Sequence, residues 1–285
     1  MASPRIIALT ALTMLPLAAN SWICRVALRD TGIDAASFTS IRLVSGALML
    51  WLLVRFGRNA QRGMGSWPSA FALFGYAVLF SFAYLSLTAA TGALLLFGAV
   101  QATMICHGLW RGERLDRAQV VGMALALGGF IGLLLPGLSA PPLAGALLMI
   151  GAGISWGVYS VRGKGAGDPT LVTAGNFMRT VPITLVLSLV MIGDASVDGA
   201  GFWYAVASGS LTSALGYVLW YTVLPLIKAT SAATVQLSVP VIVAIGGVVL
   251  LGEPVTLRLV LASAAVLGGI GLVMFEREAV ARGRG

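Results

Sequence analysis

The chain contains uncharged apolar stretches of about 20 residues that recur along most of its length, and they restrict the fold more than any other feature. A helix of roughly 20 residues is long enough to cross the ~30 Å hydrocarbon core of a bilayer. Of the 285 residues, 58% are hydrophobic and only 10% are charged, whereas soluble domains carry roughly 25% charged residues. We therefore predict an all-α integral membrane protein.

Charges, prolines and glycine clusters divide the sequence into ten predicted transmembrane helices. They lie near residues 6–27, 36–56, 68–88, 90–110, 118–136, 142–162, 170–192, 201–223, 229–251 and 257–275. The first stretch could pass for a signal peptide, since a single arginine precedes an apolar run. Because further spans of the same kind follow, we interpret it as the first uncleaved helix, and no stretch is left for a soluble domain.

The lysines and arginines predict the orientation, because they concentrate on the cytoplasmic side of membrane proteins. With the N-terminus inside, thirteen basic residues are cytoplasmic and three are outside, while Arg42 and Arg179 lie within spans. Both termini are therefore predicted to be cytoplasmic, with the protein in the inner membrane of a bacterium. The same bias explains the net charge of +8. Since the basic residues are scattered between apolar runs, we expect no nucleic-acid partner.

Features of the first half recur in the second half. The matching pairs are Gly112-Glu113 with Gly252-Glu253, Gly128-Gly129 with Gly268-Gly269, Ser21-Trp22 with Ser155-Trp156, and Arg42 with Arg179. We predict two five-helix repeats, residues 5–137 and 142–275, followed by a cytoplasmic tail at 276–285. Because five is odd, the second repeat enters the membrane from the opposite side. Inverted repeats are typical of secondary transporters, which bind substrate near the midplane and open to either side in turn.

These features resemble those of the EamA-type drug/metabolite transporter superfamily. The resemblance rests on the tryptophan late in the first span, the arginine early in the second, the two Gly-Glu pairs, and the stretch from Ala229 through Pro240 to Pro254. It covers residues 5–275 as two EamA repeats and implies ten spans with both termini inside. Within the superfamily, the chain is most similar to the YddG-type exporters of aromatic and other neutral amino acids. It departs in the fourth span, where the family often has a proline and this chain reads Phe97 to Gln101.

Ionisable groups inside a membrane are functional candidates, because they are costly to bury. All ten acidic residues lie in loops or at span ends, so the chain lacks the buried carboxylate that proton-coupled exporters of lipophilic cations commonly use. Arg179, roughly 14 Å into its span, is a candidate anchor for a substrate carboxylate; bonding to backbone carbonyls is the alternative. The same two roles are open to Arg42, which is also shallow enough to snorkel outward. His107, the only histidine, has either an interfacial or a gating role.

Polar and aromatic residues at mid-span depth are predicted to line a substrate cavity. The predicted substrate-binding residues are Asn20, Trp22, Tyr76, Tyr84, Gln101, Trp156, Tyr159, Asn176, Arg179, Tyr217, Trp220 and Gln236. An amide at the midplane finds no water in lipid, so Gln101 and Gln236 should face a cavity or another helix. Aromatic residues spaced three or four apart share a helix face and suit a ligand with an apolar or aromatic side chain. Packing between helices is the alternative for them.

Prolines and small residues predict hinges and close helix contacts. The candidate gating or hinge residues are Pro16, His107, Pro182, Pro225 and Pro240. The patterns Gly128-x-x-x-Gly132 and Gly153-x-x-x-Gly157 predict helices that approach closely. Both cysteines lie inside apolar runs and are predicted to be small buried residues, with no disulfide or metal framework.

We predict a secondary transporter that exports small neutral or zwitterionic metabolites by alternating access, with large or aromatic amino acids as the leading substrates. The alternatives are an exporter of other metabolites or drugs, and a channel-like facilitator, which would need a continuous polar lining. We expect no enzyme: Gly153 to Gly157 matches the Gly-x-Ser-x-Gly pattern of serine hydrolases, but that pattern needs a strand-to-helix turn. We expect no cofactor or metal. The partners are a small-molecule substrate and the lipid bilayer; the oligomeric state stays open, with a monomer among the options.

Overall fold

The chain forms a helical bundle in a computed structural model, which describes residues 4–56, 65–112, 117–137, 140–163, 166–223 and 235–282. Over these ranges all regular structure is helical. In chain order the elements are α1 (Pro4–Asp30), α2 (Ala35–Phe56), α3 (Trp67–Tyr84), α4 (Ala89–Trp110), α5 (Arg117–Leu134), α6 (Leu143–Gly163), α7 (Pro169–Val190), a 3₁₀ turn (Ile192–Asp194), α8 (Gly199–Ala207), a π-helical segment (Ser208–Leu215), α9 (Gly216–Val223), α10 (Ser238–Leu251) and α11 (Leu257–Arg282). Each predicted span overlaps these helices, and the span at 201–223 corresponds to the continuous run from α8 to α9.

Short polar side chains fix where several helices begin. The first N–H groups of a helix have no partner within it, so an acceptor side chain just before the first turn stabilises that end. The caps are Asp34 for α2, Ser66 for α3, Thr88 for α4, Asp168 for α7 and Asp198 for α8. These polar positions bracket the apolar spans and keep the connections between them short.

The eighth predicted span is interrupted in the middle by the π-helical segment, which we call the π segment (Ser208–Leu215). A π-helix bonds each N–H to the carbonyl five residues earlier, and such turns occur frequently at functional sites. The π segment packs against α2. At this contact a Cβ on Gly209 would overlap the carbonyl oxygen of Arg42. The absence of a side chain at Gly209 therefore lets α2 approach closely and brings Arg42 beside the polar residues of the π segment.

The α5–α11 contact uses one glycine from each helix. A Cβ on Gly129 would lie 2.9 Å from the Cβ of Ala265 on α11, and a Cβ on Gly269 would overlap the carbonyl oxygen of Gly122 on α5. The expected contact through Gly128-x-x-x-Gly132 is wrong, because both of those glycines face open space. Their neighbour Gly129 lies on the side of the helix that meets α11.

The second small-residue pattern makes the predicted contact. Gly153 on α6 lies against Leu96 and Ala99 of α4, where a Cβ would come 2.5 Å from the Leu96 carbonyl oxygen. Gly157, one turn later, lies against Thr103 of the same helix. The helices α3, α4 and α6 thus pack closely around the centre of the bundle, where most of the buried aromatic residues lie.

The outer surface of the bundle is apolar. Within the described ranges, α2, α3, α4, α6 and α7 are long and apolar enough to cross a membrane, and shorter apolar stretches lie at Gln119–Leu134, Ser238–Leu251 and Leu257–Leu272. Val249 and Leu257 are each 73% exposed. Such large apolar surfaces are unfavourable in water and are covered by lipid in a membrane. The protein is an integral membrane protein.

The two cysteines differ in exposure. Cys24 is buried, as predicted, whereas Cys106 is exposed, contrary to the prediction. Cys106 lies three and four residues before Leu109 and Trp110, so the three share one face of α4. That face is exposed, since Trp110 is 90% exposed.

Candidate functional site

A small cavity lies between the helices of the bundle. Its volume is about 20 Å³, which is enough for roughly one water molecule. It is lined by Leu17, Asn20, Ser21, Tyr76, Phe80, Leu96, Phe97, Trp156 and Tyr217. Four of the predicted substrate-binding residues are therefore brought together here: Asn20, Tyr76, Trp156 and Tyr217.

Trp156 is the centre of the aromatic wall of this cavity. Its ring centroid lies 5.0 Å from that of Tyr76, 4.7 Å from that of Tyr217 and 5.4 Å from that of Tyr159. These separations are within the 4.5–7 Å at which aromatic pairs attract each other. The wall joins α3, α6 and α9, so an apolar or aromatic group in the cavity would meet ring faces from three helices.

Asn20 supplies the polar side of the cavity, and both its amide nitrogen and its amide oxygen are hydrogen-bonded. Its Nδ2 donates to the hydroxyl of Tyr76 at 3.1 Å. The hydroxyls of Ser208 and Thr212, both in the π segment, donate to its Oδ1 at 2.8 and 3.0 Å. The network ties α1 to α3 and to the π segment, and it fixes the orientation of the Tyr76 hydroxyl.

Arg42 lies directly beside this network. It is 1% exposed, its Nε donates to the Ser213 hydroxyl at 3.1 Å, and its Nη2 donates to the Tyr76 hydroxyl at 3.2 Å. Its Cζ lies 5.2 Å from the ring centroids of both Tyr76 and Phe80. Within the described residues, no carboxylate pairs with Arg42, and its buried Nη1 has no hydrogen-bond partner.

The position of Arg42 corrects the expectation that it snorkels outward. The helix α2 packs with one face against α7 and the π segment, and Arg42 lies on that face. Its side chain therefore points into the bundle, where hydroxyl groups and ring faces receive it, and not along the helix to the surface.

Arg179 occupies a different environment. Its Nη1 donates to the carbonyl oxygen of Gly175 at 2.8 Å, one turn earlier in the same helix, and it is not among the residues that line the cavity. Of the two roles considered from the sequence, this contact matches bonding to a backbone carbonyl.

Several predicted site residues make contacts between helices outside the cavity. Asn176 accepts a hydrogen bond from the backbone N–H of Ser66 at 2.9 Å and so ties the start of α3 to α7. The Trp22 Nε1 donates to the carbonyl oxygen of Val243 on α10 at 3.0 Å. Tyr84 packs edge-on against Phe80, with ring centroids 4.8 Å apart. The remaining predicted residues, which are all buried, are Gln101, Tyr159, Trp220 and Gln236.

Within the described residues, four buried side chains each have one polar atom without a hydrogen-bond partner. These atoms are Arg42 Nη1, Gln101 Nε2, Tyr217 OH and Tyr221 OH. A buried donor without a partner costs about 1–3 kcal/mol, and such groups call for a water molecule or a ligand. Arg42 and Tyr217 belong to the region around the cavity, so this region has unused hydrogen-bonding capacity.

The candidate hinge residues lie at different positions within their helices. Pro16 and Pro182 are inside α1 and α7. Pro240 is in the first turn of α10, where a missing N–H breaks no helical hydrogen bond, and Pro225 lies outside the described residues. His107 is in the last turn of α4 and does not line the cavity.

A second polar cluster lies at one end of the bundle. Gly252 ends α10 with φ of 64°, a conformation that glycine adopts readily, and the turn directs Glu253 back towards α1 and α4. Arg25 Nε and Glu253 Oε1 are 2.9 Å apart. The other carboxylate oxygen accepts from the N–H of Ala89, the first residue of α4, at 2.7 Å. Arg25 also donates to the carbonyl oxygen of Tyr84 at 2.8 Å, so this pair joins α1, α3, α4 and α10.

The connections that follow α1 and α7 meet at an end of the bundle as well. Asp34 and Ser196 form two hydrogen bonds, from Asp34 N to Ser196 O at 3.0 Å and from Ser196 N to Asp34 Oδ2 at 2.8 Å. Partial burial works to raise the pKa of Asp34, but hydrogen bonds from Ser37, Ser196 and Ala36 outweigh it and lower the pKa below its ordinary value. The contact links the two halves of the chain outside the membrane-spanning segments.

Comparisons with known proteins identify the family. The EamA-like transporter family model matches residues 143–275, and an uncharacterised protein of Pseudomonas aeruginosa is 54% identical over 274 residues, which cover 96% of each chain. The chain belongs to the EamA-like transporter family. Its role is therefore in membrane transport, and the matched residues coincide with the second of the two predicted repeats.

The chain is also similar to a relative whose name states an activity and to a protein of known structure. A protein of Streptantibioticus cattleyicolor, named "Probable terminal-alkyne amino-acid exporter", is 29% identical over 268 residues and aligns with 91% of this chain and 89% of its own length. A crystal structure of a protein aligns with a TM-score of 0.64 and 19% identity, covering 93% of this chain and 98% of that chain. At this identity, the structural likeness shows a shared fold and nothing about function.

Sequence reasoning missed the residues that surround Asn20 and Tyr76. These are Phe80, Ser208, Thr212 and Ser213, while Arg42 was an ionisable candidate but not one of the predicted substrate-binding residues. A signal was present, since four hydroxyl residues lie within six positions, from Ser208 to Ser213, in an otherwise apolar span. Such a stretch needs hydrogen-bond partners inside a membrane. In the structure these partners include Asn20 and Arg42.

Proposed function

We propose that this EamA-family transporter exports small neutral or zwitterionic amino acids, with large or aromatic side chains preferred, across the bacterial inner membrane. The observation that carries the proposal is the central cavity, which is lined by the rings of Tyr76, Trp156 and Tyr217 together with the polar side chain of Asn20. An apolar wall with a few fixed polar groups is what a small-molecule site requires. The name of the Streptantibioticus relative, "Probable terminal-alkyne amino-acid exporter", supports amino acids as the class of substrate.

We infer that the ten helical runs form two inverted repeats, residues 5–137 and 142–275. Pairing α1 with α6, α2 with α7, α3 with the run from α8 to α9, α4 with α10 and α5 with α11 relates the two halves. Contacts of one half then have counterparts in the other: α3 meets α6 as α9 meets α1, and α4 meets α6 as α10 meets α1. The reciprocal packing of Gly129 and Gly269, which are 140 residues apart, also supports this symmetry.

Transport in this proposal requires the cavity to open to one side at a time. A volume of about 20 Å³ cannot hold an amino acid, so substrate enters only after helices move apart. The Arg25–Glu253 pair joins α10, in the second half, to three helices of the first half. With both termini cytoplasmic, this pair closes the external side and must separate for release. Pro16 and Pro182, inside α1 and α7, are the proposed hinge positions.

A channel-like facilitator is the alternative to a carrier for this protein. It would need a continuous polar lining, whereas the described cavity is small and mostly walled by apolar and aromatic groups. Export of other metabolites or drugs is a proposal about the substrate and not about the mechanism. Transport measurements in liposomes distinguish both alternatives from amino-acid export.

The test is transport by purified protein in liposomes. Vesicles loaded with labelled phenylalanine, tryptophan, leucine, threonine or glutamate should release the first three fastest, with a rate that saturates as concentration rises. Protein-free vesicles are the control. A rate that rises without saturation would favour a pore, and no release of any amino acid would contradict the proposal.

The proposed orientation has its own test. In a Cys24→Ser/Cys106→Ser background, a cysteine at Ser196 should react with an impermeant thiol reagent added outside cells, and a cysteine at Gly167 should not. The opposite pattern would overturn both the orientation and the side assigned to the Arg25–Glu253 pair.

A further inference from the structure

We infer that the guanidinium of Arg42 is the site that binds the carboxylate of the transported substrate. The inference rests on the proposed function, since it assigns one group of the substrate to one residue of the chain. It draws on three observations about Arg42: its burial, its unused nitrogen and its position beside the cavity.

The burial of Arg42 leaves a positive charge without a counter-charge. The residue is 1% exposed inside a membrane protein, and within the described part of the chain its partners are two hydroxyls and two ring faces. Hydroxyl groups and rings stabilise a cation only in part, and a charge within a bilayer is costly. An anion that enters the site would gain both the charge interaction and the hydrogen bonds.

The geometry leaves one nitrogen free for that anion. The guanidinium has five N–H donors, and Nε and Nη2 are bonded to Ser213 and Tyr76. The buried Nη1 has no partner, so its two N–H groups are available to an acceptor. A carboxylate is a strong acceptor for arginine, through short charge-assisted hydrogen bonds.

Arg42 also lies where a substrate would meet it. It contacts Tyr76 and Phe80, both of which line the central cavity. The inference therefore requires that the Tyr76 or Phe80 ring shifts when the cavity widens, so that the ligand reaches the guanidinium. A carboxylate on Arg42 then leaves the apolar side chain of the same substrate on Trp156 and Tyr217. The binding class is therefore a carboxylate that carries an apolar or aromatic group.

Two kinds of molecule share this chemistry, namely amino acids and carboxylic acids that lack the ammonium group. The experiment therefore uses phenylalanine, phenylalaninamide and phenylpyruvate as probes, with purified full-length protein. Binding is measured by calorimetry, and transport by uptake into liposomes. The variants are Arg42→Gln and Arg42→Lys, with Arg179→Gln as the matched control. Arg179 also lies within a helix, but its side chain bonds a backbone carbonyl of that same helix.

Wild-type protein should bind phenylalanine more tightly than phenylalaninamide. Arg42→Gln should weaken phenylalanine binding about 10- to 100-fold, the range expected for the loss of a charge-assisted hydrogen bond, and should leave phenylalaninamide binding unchanged. Arg42→Lys should retain part of the affinity, because it keeps the charge, and Arg179→Gln should behave as wild type. Phenylpyruvate binding that falls in parallel with phenylalanine binding would extend the ligand class to carboxylates in general.

Two results would overturn the Arg42 assignment, and a third would overturn the proposed function on which it rests. An equal loss for phenylalanine and phenylalaninamide in Arg42→Gln would assign Arg42 to the structure of the cavity alone. An unchanged preference for the carboxylate in Arg42→Lys and Arg42→Gln would place the carboxylate elsewhere; if Arg42→Gln does not fold, Arg42→Lys decides. If wild-type protein neither binds nor transports any amino acid, the proposed function itself fails, which is a different outcome from failure of the Arg42 assignment.

Discussion

The two arginines Arg25 and Arg42 are both packed inside the protein, yet their surroundings differ. Arg25 pairs with the carboxylate of Glu253 at 2.9 Å and also bonds a backbone carbonyl. Arg42 is buried more completely, but it is held by neutral hydroxyls and ring faces, with one nitrogen unused. A buried charge with its counter-charge is satisfied and holds helices together. A buried charge without one retains binding capacity, which is why we assign closure to the first region and substrate binding to the second.

The largest effect should come from breaking the satisfied pair. Glu253→Gln removes the negative charge and leaves Arg25, with 13% of its side chain exposed, without an anion. Removing one partner of a buried ion pair costs about 3–5 kcal/mol, and partial exposure places the loss near the lower end. The free energy of unfolding in detergent should fall accordingly.

The control for that prediction is the double variant Arg25→Gln/Glu253→Gln. It leaves neither charge alone, so it should lose less stability than Glu253→Gln. A double variant that is less stable than the single variant would contradict the view that the pair is matched, and would assign the stability to the separate contacts with Tyr84 and Ala89.

The next effect concerns the contact that brings Arg42 to the cavity. Gly209→Ala would place a methyl group against the carbonyl oxygen of Arg42, and overpacking of this kind costs about 1–3 kcal/mol. Gly132→Ala, in open space on α5, is the matched control and should be neutral or stabilising, because alanine favours helices. Thermal unfolding and phenylalanine binding should both fall in Gly209→Ala; if neither changes, the α2–π segment contact does not position the site.

A smaller effect is expected at Gln101, another buried residue with an unused polar atom. Gln101→Leu should leave stability unchanged, because Nε2 has no partner to lose, and should weaken substrate binding if the amide meets substrate in an opened state. Gln236→Leu, at a buried glutamine of the second half, is the comparison. Calorimetric binding and thermal unfolding of the two variants separate the roles. Unchanged binding and stability in both would remove the two glutamines from the site.

The smallest expected effect is that of an imposed pH gradient. No carboxylate pairs with Arg42 among the described residues, so the site lacks the usual group for carrying a proton against substrate. Purified protein should therefore equilibrate phenylalanine down its own gradient at the same rate with and without a pH difference. His107→Gln should keep most of this rate. Accumulation of substrate that needs a pH difference and is lost in His107→Gln would contradict the prediction.

The helices were predictable from the sequence because apolar length is a direct property of each segment. Each span overlaps a helix of the structure, and Gly153-x-x-x-Gly157 correctly predicted the α4–α6 contact. The Gly128-x-x-x-Gly132 contact was wrong because adjacent glycines give two possible faces, and only the packing of α11 decides that Gly129 is the one in contact.

The site was less predictable because it depends on which way side chains point. Depth along a helix selected Asn20, Tyr76, Trp156 and Tyr217 as candidates, and the structure places these four around one cavity. Depth also ranked Arg179 above Arg42, whereas the rotation of each helix decided the contacts: Arg42 faces the π segment and Arg179 bonds its own backbone. The π segment, at Ser208–Leu215, provides the hydroxyl that Arg42 meets, and a contact between helices so far apart in sequence is not specified by a local residue pattern.

The most direct test of the account compares transport kinetics of Arg42→Gln and Glu253→Gln in the same liposomes. If Arg42 binds substrate and the Arg25–Glu253 pair closes the path, Arg42→Gln raises the KM for phenylalanine about 10-fold or more with no change in the KM for phenylalaninamide. Glu253→Gln then alters the maximum rate and keeps the preference for the carboxylate. The same kinetic change in both variants, or a loss of carboxylate preference in Glu253→Gln with none in Arg42→Gln, would contradict the account.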